Sequence, residues 1–85
     1  MDLKAQFEQA AADSKTLSEK PSNETLLQLY SLYKQGSVGD VNVDPPSNPF
    51  DFVNKAKYEA WAALKGKPAT EAMTEYIELV KKLKG

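Results

Sequence analysis

The chain has 85 residues, 41% of them hydrophobic and 27% charged, a composition typical of one globular domain spanning residues 1–85. Its eleven basic residues are all lysines and stand against twelve acids, so the net charge of −1 lacks the basic excess of a protein that binds nucleic acid through phosphates. Cysteine and histidine are absent, which excludes disulfides, a thiolate nucleophile and a histidine base or metal ligand.

The N-terminal segment MDLKAQFEQ lacks the positively charged start and apolar run of a signal peptide. No apolar stretch approaches the roughly 20 residues that a membrane-spanning helix needs. We therefore expect a soluble, cytoplasmic protein.

The first predicted helix covers residues 3 to about 15. Its N-terminal end, which carries the positive pole of the helix dipole, follows Asp2. The apolar stripe of this helix is narrow and mostly alanine, which would let another helix or a slender ligand come close. The residues at helical spacing are Leu3, Phe7, Ala10, Ala11 and Ser14.

The second predicted helix covers residues 22 to 35. Pro21 ends the preceding segment, and Ser22 or Asn23 can cap the new helix. Gly36 is expected to stop it. One face is predicted to carry Leu26, Leu29, Tyr30 and Tyr33, with Leu27 beside them.

A connection from Ser37 to Pro49 follows, with three prolines and no helical period. At about a dozen residues it is long for a compact domain. It can carry the chain the length of a bundle, so that the third helix runs parallel to the second.

Two further helices are predicted, over residues 51 to 64 and 68 to 84. Gly66 suits the end of the third helix and Pro68 the first turn of the fourth. The chain is therefore expected to form an all-α four-helix bundle. The predicted apolar stripes comprise Val53, Ala56, Ala60 and Leu64, flanked by Trp61, and then Ala69, Ala72, Met73, Tyr76, Ile77, Val80 and Leu83.

The second helix contains a cluster of candidate ligand-binding residues. Tyr30 and Tyr33 are three residues apart, and Lys34 stands one turn after Tyr30, so the three side chains are close on the helix surface. Two rings and an ammonium suit a ligand with a flat ring and anionic groups. By spacing alone, such tyrosines more often lie at a helix–helix boundary than in a ligand site, and Lys55 and Lys57 more often belong to a solvated face.

Three motifs resemble those of the acyl-CoA-binding protein family, also called the diazepam-binding inhibitor family. They are YSLYKQ at Tyr30–Gln35, VGDVN at Val38–Asn42 and KAKYEAW at Lys55–Trp61, in the family's order and at nearly its spacing. The resemblance runs from Phe7 to the last helix. It implies an up-down-down-up bundle with a long crossover between helices two and three.

The resemblance also implies a binding site, with no catalytic residue, metal or cofactor. The carbon chain of the ligand would lie in a groove formed in part by Phe7, Ala11 and Leu27, residues that by themselves suit ordinary core packing. The residues expected to bind acyl-CoA are Lys15, Tyr30, Ser31, Leu32, Tyr33, Lys34, Lys57 and Tyr76. Without the resemblance, Lys15 would be read as a surface lysine and Tyr76 as core.

The implied function is non-covalent binding of medium- to long-chain fatty acyl-CoA esters such as palmitoyl-CoA. The protein would be an intracellular carrier and pool former in lipid metabolism, a monomer that makes transient membrane contact and supplies acyl-CoA-using enzymes. The chain departs from the family at three places: one extra residue near Pro46–Phe52, Val53 where many relatives have lysine, and Tyr58 in place of the usual tryptophan.

Two other functions compete with this interpretation. A thioesterase would need an activated nucleophile, but serines such as Ser31 and Ser37 have no histidine to activate them. A helical interaction module would use the leucine and tyrosine face of the second helix to bind a partner protein.

Overall fold

The computed structural model describes residues 2–84, which fold into four α-helices joined by loops. Helix α1 spans Leu3–Ser14, α2 spans Asn23–Ser37, α3 spans Phe52–Ala62 and α4 spans Ala69–Lys84. The all-α prediction is confirmed, and each helix begins within a residue of its expected start. None of the helices described between residues 2 and 84 combines the length and apolar character needed to cross a bilayer.

Each of the first three helices begins with a side-chain N-cap. A side-chain oxygen just before the helix accepts a hydrogen bond from a backbone N–H in the first turn, which satisfies a donor that the helix itself leaves free. Of the two residues predicted as possible caps of α2, Ser22 is the N-cap. The pairs are Asp2 with Ala5 at 2.7 Å, Ser22 with Thr25 at 3.2 Å, and Asp51 with Asn54 at 3.3 Å.

Contacts at the helix ends fix the directions of the helices. The start of α2 lies beside the start of α3, where Leu26 and Phe52 line one groove. The end of α4 lies beside the end of α1, where Lys84 Nζ is 3.1 Å from Asp13 Oδ2. The pair α2 and α3 is therefore parallel, as is the pair α1 and α4. The end of α2 lies beside the start of α4, where Gln35 Nε2 donates to the Lys67 carbonyl at 2.9 Å, so these two helices are antiparallel. The order is therefore up-down-down-up, as expected.

The core lies between α1, α2 and α4. Its buried members are Phe7, Ala10, Leu29, Leu32, Ala72, Tyr76, Ile77 and Val80.

The predicted apolar face of α2 is wrong in its composition. Leu29 and Leu32 are buried in the core, whereas Leu26 is 36% and Tyr33 41% exposed. The reason is that α2 packs against α4 on one side and α3 on another, so its apolar residues are divided between two interfaces.

The predicted stop at Gly36 is also wrong, because α2 continues to Ser37. Gly36 is buried, and a Cβ there would lie 3.1 Å from Phe7 Cζ and 3.1 Å from Met73 Cγ. Glycine at this position therefore permits close packing of three helices. The residue that reverses the chain is Gly39, whose φ of 98° lies in the left-handed region that glycine adopts without strain.

A buried amide ties the end of α2 to the turn between α3 and α4. Gln35 is fully buried, and its Nε2 donates to Asp40 Oδ1 and to the Lys67 carbonyl, both at 2.9 Å. Asp40 Oδ1 also accepts from the Gly66 N–H at 2.9 Å. The Gly66 N–H, and after it the Gln35 amide, hold the pKa of Asp40 below its ordinary value.

Candidate functional site

The ring of Tyr30 lies beside two lysine ammonium groups from different helices. Lys34 Nζ is 5.9 Å from the centre of the Tyr30 ring, and Lys57 Nζ is 5.5 Å from it. Lys34 Nζ is also 5.7 Å from the ring of Trp61. Cations within about 6 Å of a ring centre are attracted to its face. These four residues form a cation–aromatic cluster on α2 and α3.

The two ammonium groups of this cluster have no acidic partner in the part of the chain that the structure describes. The ion pairs found there join Lys67 to Glu75 and Lys84 to Asp13. Lys34 and Lys57 are both half-buried, and the contacts that they make are with aromatic rings. An anion that accepted hydrogen bonds from both would neutralise two positive charges that the protein leaves uncompensated.

The parallel arrangement of α2 and α3 assembles the cluster. Tyr30 and Lys34 are one turn apart on α2, and Lys57 and Trp61 are one turn apart on α3. Trp61 is buried, and its indole N–H donates to the Gly39 carbonyl at 2.8 Å. This bond fixes the end of α3 against the turn that follows α2. It therefore holds the cluster's two halves in register.

Tyr33 contacts a different part of the molecule. Its ring stacks on Phe7 with centres 5.3 Å apart and lies 5.9 Å from the ring of Tyr76. Tyr76 is buried with its edge against Phe7, and its hydroxyl donates to Ser14 Oγ at 3.2 Å. Burial raises the pKa of Tyr76 above its ordinary value. The two tyrosines of the motif thus lean toward opposite neighbours, Tyr30 toward α3 and Tyr33 toward α1 and α4.

Two depressions flank this part of α2. The α1–α2 cleft, of about 530 Å³, lies on the Tyr33 side and includes Phe7, Ala11 and Lys15 in its lining. The α2–α3 groove, of about 370 Å³, lies on the other side and is mostly apolar. Its lining consists of Asn23, Leu26, Leu27, Phe52, Val53, Ala56 and Lys57.

A second hollow adjoins the α2–α3 groove. It has a volume of about 260 Å³ and is lined by Tyr30, Lys57 and Trp61 together with further residues of α3 and of the long connection. Lys57 lines both the hollow and the groove. Its ammonium is therefore where a charged ligand group and an apolar one would meet.

The structure brings some of the predicted site residues together and separates others. Tyr30, Lys34 and Lys57 meet in the cluster. The residues predicted to contact the acyl chain are divided, because Phe7 and Ala11 line the α1–α2 cleft whereas Leu27 lines the α2–α3 groove.

Ser31 and Leu32 lie apart from the other predicted site residues. Both are buried, and they line a separate depression against Glu75 and Glu78 of α4. The structure therefore does not bring them to the cluster, and their role in ligand binding stays a prediction.

Sequence reasoning missed several residues of this surface. Trp61 is predicted only to flank the apolar stripe of the third helix, although its spacing of four from Lys57 indicates that the two share a face. Phe52 and Val53 were not assigned to any groove. They are 69% and 65% exposed, and a sequence does not tell which apolar residues remain uncovered.

The fold and this surface define a class: a small all-α protein whose paired cations, rings and apolar groove suit an amphipathic anion. Among residues 2–84 no group of His, Cys, Asp or Glu could hold a metal ion. Comparisons with known proteins narrow the class to a family.

The family described as "Acyl CoA binding protein" matches residues 4–80. The chain is 48% identical to the acyl-CoA-binding protein of Ricinus communis, over all of this chain and 93% of that protein. It is 51% identical to acyl-CoA-binding domain-containing protein 1 of Oryza sativa subsp. japonica, over 98% of this chain and 90% of that protein. The crystal structure of Oryza sativa acyl-CoA-binding protein 2 is similar in fold, with a TM-score of 0.90 and 44% identity over 96% of this chain and 90% of that one. The chain belongs to the acyl-CoA-binding protein family.

Proposed function

We propose that this protein binds medium- to long-chain acyl-CoA esters non-covalently, one per chain, and acts as their carrier and pool former in lipid metabolism. The observation that carries the proposal is the position of Lys57. Its ammonium shares the Tyr30 ring with Lys34, and its side chain also lines the apolar α2–α3 groove. A ligand with phosphates at one end and a hydrocarbon chain at the other matches that junction.

The nucleotide end of the ligand is assigned to the surface of α2 that carries Tyr30, Tyr33 and Lys34. Lys34 and Lys57 would donate to phosphate oxygens, because an ammonium is a compact point charge with three donors. Tyr30 and the partly exposed Tyr33 offer ring faces for the base. Lys15, exposed at the rim of the α1–α2 cleft, would supply a further charge. These assignments agree with the roles that the family resemblance predicts.

Tyr76 has a second role in the proposal. Its ring packs against Phe7, which in turn stacks on Tyr33, and its hydroxyl donates to Ser14. We assign that hydroxyl to the nucleotide end of the ligand, as the resemblance predicts. Phe7 and Ala11 are assigned to the wall of the α1–α2 cleft.

The acyl chain is assigned to the α2–α3 groove, with Leu27 in its lining. Burying a methylene group contributes about 0.8 kcal/mol, so a groove that covers several methylenes supplies a large share of the affinity. Free CoA and free fatty acid should each bind far more weakly than the thioester, since each uses only part of the surface.

The proposal includes no chemical step. The two serines weighed as nucleophiles both donate their hydroxyls within α2: Ser31 to the Gln28 carbonyl at 3.0 Å, and Ser37 to the Tyr33 carbonyl at 2.7 Å. A serine hydroxyl that donates to a backbone carbonyl of its own helix is not activated as a nucleophile. A cytoplasmic location, a monomeric state, transient membrane contact and transfer of ligand to acyl-CoA-using enzymes complete the proposal.

A calorimetric titration with palmitoyl-CoA, CoA and palmitate tests this function. A hydrogen bond to a charged group is worth about 1.5–3 kcal/mol, so Lys34→Ala and Lys57→Ala should each weaken palmitoyl-CoA binding by roughly 10- to 100-fold. Lys55→Ala is the matched control, since Lys55 lies on the same helix but is exposed and outside both the cluster and the groove. We expect it to change the affinity less than twofold.

Two results would contradict the proposal. Absence of heat with palmitoyl-CoA would remove the carrier function and favour the interaction module. Steady release of free thiol from palmitoyl-CoA, abolished by Ser37→Ala or Ser31→Ala, would establish an esterase instead.

A further inference from the structure

The ammonium of Lys34 lies beside two aromatic rings from different helices. Its Nζ is 5.9 Å from the centre of the Tyr30 ring on α2 and 5.7 Å from that of the Trp61 ring on α3. Lys57 Nζ approaches the same Tyr30 ring, at 5.5 Å. Two like charges beside one ring repel each other and draw on the same negative face. Trp61 therefore gives Lys34 a second negative face, apart from the one that it shares with Lys57.

The ring of Trp61 is fixed, whereas the ammonium that it attracts is carried by a flexible side chain. Trp61 is 4% exposed, and its indole N–H donates to the Gly39 carbonyl at 2.8 Å. The next residue, Asp40, accepts hydrogen bonds from two other parts of the chain, both at 2.9 Å, so the turn that carries this carbonyl is itself held in place. A lysine has a four-carbon stem with many rotamers. The ring can therefore restrain the lysine.

We propose that Trp61 is a positioning residue of the ligand site, whose buried ring holds the Lys34 ammonium where it donates to phosphate. This inference rests on the proposed function, in which Lys34 binds the phosphates of acyl-CoA. Without the ring, ligand binding itself would have to fix the lysine side chain, which costs a factor of about 2–10 in affinity. The two parts of the indole have separate roles: the N–H fixes the turn, and the ring face holds the lysine.

Fluorinated tryptophans separate these two roles. Trp61 is the single tryptophan of the chain, so tryptophans with one, two or three fluorines on the six-membered ring change this side chain alone. Each fluorine withdraws electrons from the ring face, which weakens its attraction for a cation, but makes the indole N–H a stronger donor. In calorimetric titrations with palmitoyl-CoA, affinity should fall stepwise with fluorine number, by about 2- to 10-fold in total. If only the N–H mattered, affinity would stay constant or rise.

Two lysine variants identify the cation that the ring holds. In the Lys34→Ala protein, fluorination should no longer change the affinity, because the ring has no ammonium to restrain. Lys57→Ala is the matched control: Lys57 contacts the Tyr30 ring, so the fluorine dependence should persist there. Trp61→Phe and Trp61→Leu provide a second comparison, since both lose the N–H but only phenylalanine retains an aromatic face. Trp61→Phe should bind palmitoyl-CoA about 2- to 5-fold more tightly than Trp61→Leu, and this difference should vanish in the Lys34→Ala background.

Urea unfolding of each protein distinguishes positioning from packing. The inference is overturned if affinity does not depend on fluorine number, or if the dependence survives Lys34→Ala. It is also overturned if affinity falls only in step with the free energy of unfolding, because the ring would then act through packing alone. In all three cases, tight binding of palmitoyl-CoA by the unsubstituted protein leaves the proposed function standing. If the unsubstituted protein does not bind palmitoyl-CoA, both fail.

Discussion

Replacing Gly36 by alanine tests how closely α1, α2 and α4 pack. The new Cβ would lie 3.1 Å from Phe7 Cζ and 3.1 Å from Met73 Cγ, inside the 3.5–4.0 Å of an ordinary carbon contact. Met73 is flexible and can move away. Phe7 is 3% exposed and packed between the rings of Tyr33 and Tyr76, at 5.3 and 5.2 Å, so it has little room.

The net effect follows from two opposing terms. Overpacking of a core typically costs about 1–3 kcal/mol, and replacing glycine by alanine inside a helix returns up to about 1 kcal/mol. The free energy of unfolding should therefore fall by about 1 kcal/mol, which lowers the melting temperature by about 4–8 °C in a domain of this size. Without the close packing, the same substitution would stabilise the protein.

Urea unfolding followed by circular dichroism measures the effect. Ala12→Gly, at an exposed position of α1, calibrates the helix-propensity term in this protein. Phe7→Leu supplies a second check, because the Gly36→Ala penalty should shrink when the smaller side chain leaves space. A Gly36→Ala protein that is more stable than the original by the full propensity gain would show that the Cβ is accommodated and that the reasoning is wrong.

Three further predictions concern the groups that support the site. Because the pKa of folded Asp40 lies below its unfolded value, its charge stabilises the fold above about pH 3.9, and this contribution is lost as pH falls through the folded pKa. The stability gap between the original protein and Asp40→Asn, measured in urea at pH 7, should therefore close toward pH 2; a constant gap would contradict this. Tyr76→Phe keeps the ring but removes the hydroxyl bond to Ser14, so we expect about 1 kcal/mol less stability and two- to tenfold weaker palmitoyl-CoA binding; lost stability with an unchanged Kd would assign the hydroxyl to packing alone. Trp61→Phe leaves the Gly39 carbonyl without its indole donor and should cost about 1–3 kcal/mol in thermal or urea unfolding; an unchanged midpoint would show that water replaces the donor.

Much of the helical framework was predictable because its signals are local. Proline at position 21 and the following serine mark the start of α2, and Gly66 and Pro68 bracket the turn into α4. Capping and backbone geometry involve residues within one turn of each other, so a sequence records them directly. The exception was Gly36, whose meaning depends on two other helices.

The candidate site was predictable only in part. Tyr30 and Lys34 lie one turn apart on one helix, and that spacing alone brings them together. Their meeting with Lys57 was expected from the family motif. The separation of Leu27 from Phe7 and Ala11 was not expected. Leu27 lies toward α3, whereas Phe7 and Ala11 line the cleft between α1 and α2.

The sequence by itself determined the number of helices, their starts, the charges available to a ligand and the family to which the chain belongs. Only the tertiary structure decided which side of α2 is buried, which residues form each depression, and which lysines stand without an acidic partner among residues 2–84. The physical reason is that helical periodicity fixes the angles between side chains on one helix, whereas burial and pairing depend on the directions from which other helices approach.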